Sequence, residues 1–286
     1  MKEKKVDEDL FIDIDKILKD KNPRLNKITP KFLINYLKKI IHQDELNYII
    51  EHYKDLYGLD FNAAVLDDHF HIRTTAVGQN NIPKEGRFIL VANHPIGGID
   101  GMLFMQEAGK VFGMTKSIIN DILLNIKNLS PLFVGVNKHG STSRAVFEEL
   151  NRTFSSDEQI LIFPAGMASR RTKGLIRDLE WKKTFVSQAV KYQRDIIPVH
   201  ISGSLSNFFY IFANIRKFLG IKANLEMLYL SDETFKQKNK SFKITFGKPI
   251  SYKTFNKSMS HKEWAQKVKN HVYLLKDNKD TIFKIN

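Results

Sequence analysis

From Phe88 onward, short apolar runs rich in β-branched residues alternate with segments of helical length. Phe88–Ala92, Leu132–Val136, Gln159–Phe163, Ile196–Ile201 and Phe242–Phe246 have strand character. Between and after them, Gly101–Lys110, Thr142–Thr153, Leu179–Tyr192, Ser204–Phe218 and Lys262–Leu275 have the spacing of helices. A chain that alternates in this way buries a central sheet under helices on both faces, and ligands bind where the strand carboxyl ends converge. The expected fold class is therefore α/β. Upstream, Phe32, Leu33, Tyr36, Leu37, Ile40 and Ile41 recur at helical spacing between Pro30 and Leu56, which predicts one or two amphipathic helices. With no internal repeat and no low-complexity linker, the chain divides into an N-terminal helical region, 1–66, and one catalytic domain, 67–286.

Composition narrows the partners. The 286 residues carry 45 Lys+Arg against 31 Asp+Glu, a formal charge of +14 that favours nucleic acid, anionic lipid headgroups or an acidic carrier protein. No cysteine is present, which excludes disulfides, thiolate metal sites and a Cys nucleophile, and is compatible with a reducing compartment. Met1 to Asn22 mixes acids and lysines without the apolar centre of a secretory signal, so export is not expected. The aromatic stretch Phe208–Phe212 lies in an apolar run well short of the roughly 20 residues that span a bilayer as a helix. Any membrane association is expected to be peripheral. That stretch, followed by Arg216 and Lys217, has the pattern of an interfacial helix as well as of a core-packed one, and the Phe32–Ile41 segment is its rival for the role.

The chemistry concentrates after the first strand. Phe88-Ile-Leu-Val-Ala-Asn93-His94-Pro-Ile-Gly97-Gly98-Ile-Asp100-Gly101 sets a His at a strand end, then two glycines, then an Asp before a predicted helix. An imidazole with a pKa of about 6.5 accepts a proton at neutral pH, and a carboxylate on its second nitrogen fixes the tautomer. The same Asp also suits the start of a helix, with Gly97-Gly98 as a plain turn. No Gly-x-Ser-x-Gly elbow accompanies the pair, so His94 is expected to deprotonate a substrate hydroxyl directly. His69-Phe70-His71 would place two imidazoles on one face of a strand, a spacing that can ligate zinc.

Asn93-His94 with Asp100, Phe133-Val-Gly-Val-Asn-Lys138, Phe163-Pro-Ala-Gly166 with Ser169-Arg170, Ile197-Pro198-Val199 and Phe246-Gly-Lys-Pro-Ile250 resemble, in order, the motifs of the PlsC-like glycerolipid acyltransferase family. The resemblance spans Phe88 to Ile250. It implies a mixed central sheet flanked by helices, as in glycerol-3-phosphate acyltransferase. It also implies transfer of a fatty acyl group from acyl carrier protein or coenzyme A to a hydroxyl of a lyso-lipid, with no metal and no cofactor beyond that thioester. By motif, His94 would be the general base and Asp100 its partner. Asn93, Gly97, Gly98, Lys138, Phe163, Pro164, Ala165, Gly166, Arg170 and Arg171 would line the substrates, with N–H groups around Gly97-Gly98 or at the following helix start facing the oxyanion.

Three positions depart from the family pattern. Five residues, Pro95 to Ile99, separate the His and Asp where four are usual; Ala165 stands for a Glu, and Lys138 for an Arg. Losing a carboxylate and a bidentate guanidinium at the acceptor wall points away from ordinary lysophosphatidate. The variant is more similar to the haemolysin-like branch and to O-acyltransferases of ornithine or glycine aminolipids, whose acceptor is the hydroxyl of an N-linked 3-hydroxy fatty acid. The expected partners are a lyso-aminolipid, the acyl carrier protein or coenzyme A thioester, and an anionic membrane surface at the cytoplasmic face, rather than nucleic acid. Acylation of 1-acylglycerol-3-phosphate to phosphatidate is the alternative reaction; a non-catalytic basic lipid- or nucleic-acid-binding module is the alternative of another class.

Overall fold

A computed structural model describes residues 12–21, 29–120, 125–136 and 144–285. The strands are β1 (Arg73–Val77), β2 (Phe88–Ala92), β3 (Thr115–Asn120), β4 (Phe133–Val136), β5 (Gln159–Ile162), β6 (Arg170–Thr172), β7 (Leu175–Arg177), β8 (Asp195–Ile201) and β9 (Ser241–Phe246). The helices are α1 (Ile14–Lys21), α2 (Lys31–Ile41), α3 (Gln43–His52), α4 (Gly58–Ala64), α5 (Gly98–Phe112), α6 (Arg144–Ser155), α7 (Thr184–Tyr192), α8 (Asn207–Phe218), α9 (Leu230–Phe235) and α10 (His261–Leu274). Seven strands form one sheet in the order β1-β9-β8-β2-β5-β3-β4, parallel except where β8 meets β9, while β6 and β7 form a separate hairpin. This is the α/β architecture expected from the alternation.

β2 shows why. Each of its five residues is buried, and alternate side chains enter opposite layers because successive Cβ atoms point to opposite faces. Leu90 and Ala92 join Leu103, Phe104 and Ala108 of α5, along with Ile49 of α3 and Phe61 of α4. Ile89 and Val91 pack with Phe185 and Ala189 of α7 and Trp264 and Val268 of α10. The N-terminal helices thus share the core of one sheet face with α5.

The polar strands β1 and β3 escape a reading based on apolar runs, and the β6–β7 hairpin turns on Lys173 and Gly174, both at positive φ (51° and 79°) as a two-residue hairpin loop requires. α7 starts at Thr184 rather than Leu179, because residues 179–183 stay outside any helix, with buried Trp181 bonding Gln266 of α10 through its main chain. The strand expected at His69–His71 does not form. His69 ends a π-helical turn, Val65–His69, and pairs with Glu45 at 3.3 Å, while His71 takes φ 51° and faces the Asp67 carbonyl, so the two rings do not share a strand face. No group of three or more His, Asp or Glu placed to hold a metal occurs among the described residues.

One buried cation ties the sheet to its loops. Arg194, fully buried before β8, donates to the carbonyls of Phe154, Glu158, Phe88, Thr153 and Ser156, closing the α6–β5 turn against β2.

Candidate active site

β2 delivers His94 to the sheet's carboxyl edge, and the first turn of α5 delivers Asp100. His94 Nδ1 lies 3.0 Å from Asp100 Oδ1, though off the alignment of a good hydrogen bond. Catalytic hydrogen bonds are often loosely aligned before substrate arrives. The Asp100 carboxylate is fully buried, and its Oδ2 accepts the N–H groups of Ile96 (2.8 Å) and Gly97 (3.2 Å). The carboxylate therefore faces the imidazole on one oxygen and fixes the turn with the other.

The extra residue between His and Asp is absorbed at Gly97, which adopts φ 101°, ψ −108°. A Cβ there would also come within 2.8 Å of Leu230 Cδ1. Because the Gly97 N–H is committed to Asp100, it is not free for an oxyanion. The remaining candidates are the first-turn N–H groups of α5, which have no acceptor within the helix.

Phe163 stacks on the His94 ring, with centroids 4.2 Å apart, and closes one side of it. The His94 side chain keeps 19% exposure. Burial alone disfavours the imidazolium, and Arg170 opposes it too. The charge of Asp100 and its close contact to Nδ1, together with the charge of Asp178, outweigh both and hold the pKa above its ordinary 6.5.

Asp178 was not singled out by the sequence. It sits just past β7, and its carboxylate accepts the main-chain N–H of His94 (3.1 and 3.3 Å), the Ser169 hydroxyl (2.6 Å) and the Trp181 indole N–H (2.8 Å). Ser169 N–H donates in turn to the His94 carbonyl at 2.7 Å. The His94 main chain is thus gripped on both sides. From α10, Tyr273 accepts the Asp178 N–H and Lys269 donates to its carbonyl.

Arg170 donates to the Ala168 carbonyl and to Glu226, and its guanidinium lies over Phe209 of α8. Glu226 is fully buried between Arg170 (3.0 Å) and Arg216 (2.7 Å). It is the only acid between Asn207 and Ser231 in the sequence. Arg171 lies over Tyr210 and donates to Asn207. These arginines open on a cleft of about 400 Å³ lined also by Met167, Ala213 and Lys217.

The structure brings together His94, Asp100, Phe163 and Arg170, with Arg171 along the cleft. It turns others away. Both ends of the Asn93 amide bond to Ile201 of β8, at 2.8 and 2.7 Å, which docks the His94 loop rather than presenting the amide to a ligand. Ala165 packs among Trp181 and Phe185, where a Glu would meet core. Pro164 is buried and its carbonyl takes the Lys182 N–H; exposed Gly166, at φ 66°, makes the turn, and exposed Gly98 opens α5. Lys138, like its neighbour His139, lies outside the described residues.

The site thus sets a histidine beside a buried carboxylate, with the Ser169 hydroxyl committed to Asp178. Residues 16–282 match a family model described as acyltransferase, and the chain belongs to that family. It is 46% identical over 271 residues to the lyso-glycine lipid O-acyltransferase of Bacteroides thetaiotaomicron, covering 94% of this chain and 99% of that one. It is 44% identical over 274 residues to the enzyme of the same name from Phocaeicola vulgatus, covering 95% and 98%. The solved 1-acyl-sn-glycerophosphate acyltransferase PlsC of Thermotoga maritima shares the fold, with a TM-score of 0.50 at 18% identity over 86% of this chain and 97% of that one.

Proposed function

We propose that this chain transfers a fatty acyl group from an acyl carrier protein or coenzyme A thioester to the hydroxyl of a lyso-aminolipid, with lyso-glycine lipid as the foremost acceptor. The His94–Asp100 geometry carries the reading, and near full-length similarity to two enzymes named for that acceptor supports it. Asp100 holds Nδ1 protonated, leaving Nε2 to take the proton of the acceptor hydroxyl as its oxygen attacks the thioester carbonyl. The new C–O bond forms a tetrahedral oxyanion at the positive end of α5. Collapse breaks the C–S bond, and the thiolate takes the proton back from the imidazolium to leave as thiol. No acyl-enzyme forms. Ser169, whose main chain bonds that of His94, donates its hydroxyl to Asp178.

Arg171 and the adjoining cleft suit an amino-acid carboxylate, since guanidinium recognises carboxylate well. No helix among the described residues is long and apolar enough to cross a membrane. Purified protein incubated with radiolabelled acyl donor and either lyso-glycine lipid or lysophosphatidate tests the assignment. The aminolipid is expected to be acylated preferentially, and His94→Ala to lose about 10²–10⁴ in rate. Preference for lysophosphatidate, or a fully active His94→Ala, overturns it.

A further inference from the structure

α8 has two faces with different tasks. Its inner side, Phe209, Tyr210 and Ala213, is buried, and the first two rings carry the guanidinium groups of Arg170 and Arg171. Its outer side exposes Phe208, Ile211, Ile215 and Phe218, spaced three to four residues apart in one stripe, and Phe218 is 89% exposed. Leu219 and Ile221 prolong it. α2 adds exposed Phe32, Leu33 and Tyr36, and the two helices meet through Tyr229, whose hydroxyl lies 2.7 Å from that of Tyr36 and whose ring packs on Phe208 and Phe212.

Charge selects what covers this face. The sequence has no acid from 29 to 41 or from 207 to 225, while Lys31, Lys39, Lys217 and Lys222 are exposed there. Within these two segments every charged side chain is a cation, and the nearby acids Asp232 and Asp15 are paired with Lys236 and Lys38, so the face complements an anionic lipid surface, where the stripe enters the acyl boundary and the lysines meet the headgroups. Resting on the acyl-transfer reading above, we infer that the α8–α2 face docks on an anionic bilayer and opens the arginine-lined cleft to its lipids.

Co-sedimentation of the full chain with phosphatidylcholine vesicles, with and without phosphatidylglycerol, tests this. Binding is expected to be stronger with phosphatidylglycerol and to weaken with salt. The pair Ile215→Ser and Phe218→Ser is expected to weaken it about tenfold or more while leaving turnover of a detergent-dispersed acceptor unchanged. Absent wild-type binding, or binding the pair does not alter, overturns the inference. So does a wild-type dimer that the pair dissociates, since the covering partner would then be a second copy. Activity of His94→Ala in detergent judges the acyl-transfer reading separately.

A different observation carries a second inference. The Asp178 carboxylate holds the His94 N–H while Ser169, bonded to that same carboxylate, holds the His94 carbonyl. We propose that Asp178 is a positioning residue of the acyl transfer, fixing the main chain of the base and placing a second negative charge near it. The charged groups acting on His94 are Asp100 from α5, Asp178 from the segment after β7, and Arg170 from β6. Asp178→Asn is expected to lower the acid-limb pKa of kcat/KM by about half a unit or more and kcat about tenfold, with the acceptor KM unchanged.

Asp178→Glu keeps the charge but displaces the grip by one methylene. It is expected to retain the pKa and lose about fivefold in kcat at an unchanged Tm. A pKa unmoved in the Asn variant overturns the proposal. If that variant does not fold, wild-type kcat in the Glu variant does so. Neither result touches the His94→Ala test of the reaction itself.

Discussion

In the proposed reaction the base must be neutral to accept a proton, so the raised pKa of His94 is expected to set the acid side of the pH response. As pH rises through that pKa the imidazolium empties and kcat/KM increases; the limb should lie above 6.5, and Asp100→Asn should move it down by removing the nearest charge. A pH–rate profile of the two proteins checks both statements. The linked stability has the opposite sense: a raised folded pKa stabilises below the unfolded value and loses that contribution as pH climbs through the folded one. Gly97→Ala should cost roughly 1–3 kcal/mol through its left-handed φ, measurable by denaturant titration, with activity falling as the Asp100 turn shifts. His94, Asp100, Phe163 and Arg170 were legible because each sits in a short motif at a strand end. Asn93 and Ala165 were misread as ligand-facing, since a motif fixes residue order and not which way a side chain turns. Asp178 was hidden, because its contacts to His94 span 84 positions and leave no local spacing to read.

Elements were legible in proportion to their burial. β2 and β8 declare themselves as runs of apolar residues because helices cover both faces, whereas half-exposed β1, Arg-Thr-Thr-Ala-Val, is held by its pairing with β9. Helix starts were the weakest point: α5 begins three residues before the expected Gly101, since Asp100 stabilises the turn from inside the helix rather than from its cap. Arg194 sits outside any pattern, yet it satisfies carbonyls from five residues of the α6–β5 turn and β2. Replacing it with Leu would leave those acceptors buried and unpaired, at a cost of roughly 3 kcal/mol or more. A fall in Tm with no change in acceptor KM is the expected result, because the turn lies at the opposite end of the strands from His94.

At the scale of the molecule, two more histidines couple stability to acid. His200 of β8 and His271 of α10 are buried, and burial pushes each pKa down to about 4. Both must stay neutral in the fold, so stability is full above about 6.5 and falls as pH drops toward 4, by up to roughly 3 kcal/mol each. Thermal melts across that range should show it, and His271→Phe should flatten the dependence. The two-sided α8 has a kinetic consequence of its own. A substrate that reaches the arginines from the outer stripe is sampled in two dimensions, so what sets the rate is its mole fraction in the film rather than its amount per litre. Diluting the acceptor with inert amphiphile at constant total acceptor should slow turnover.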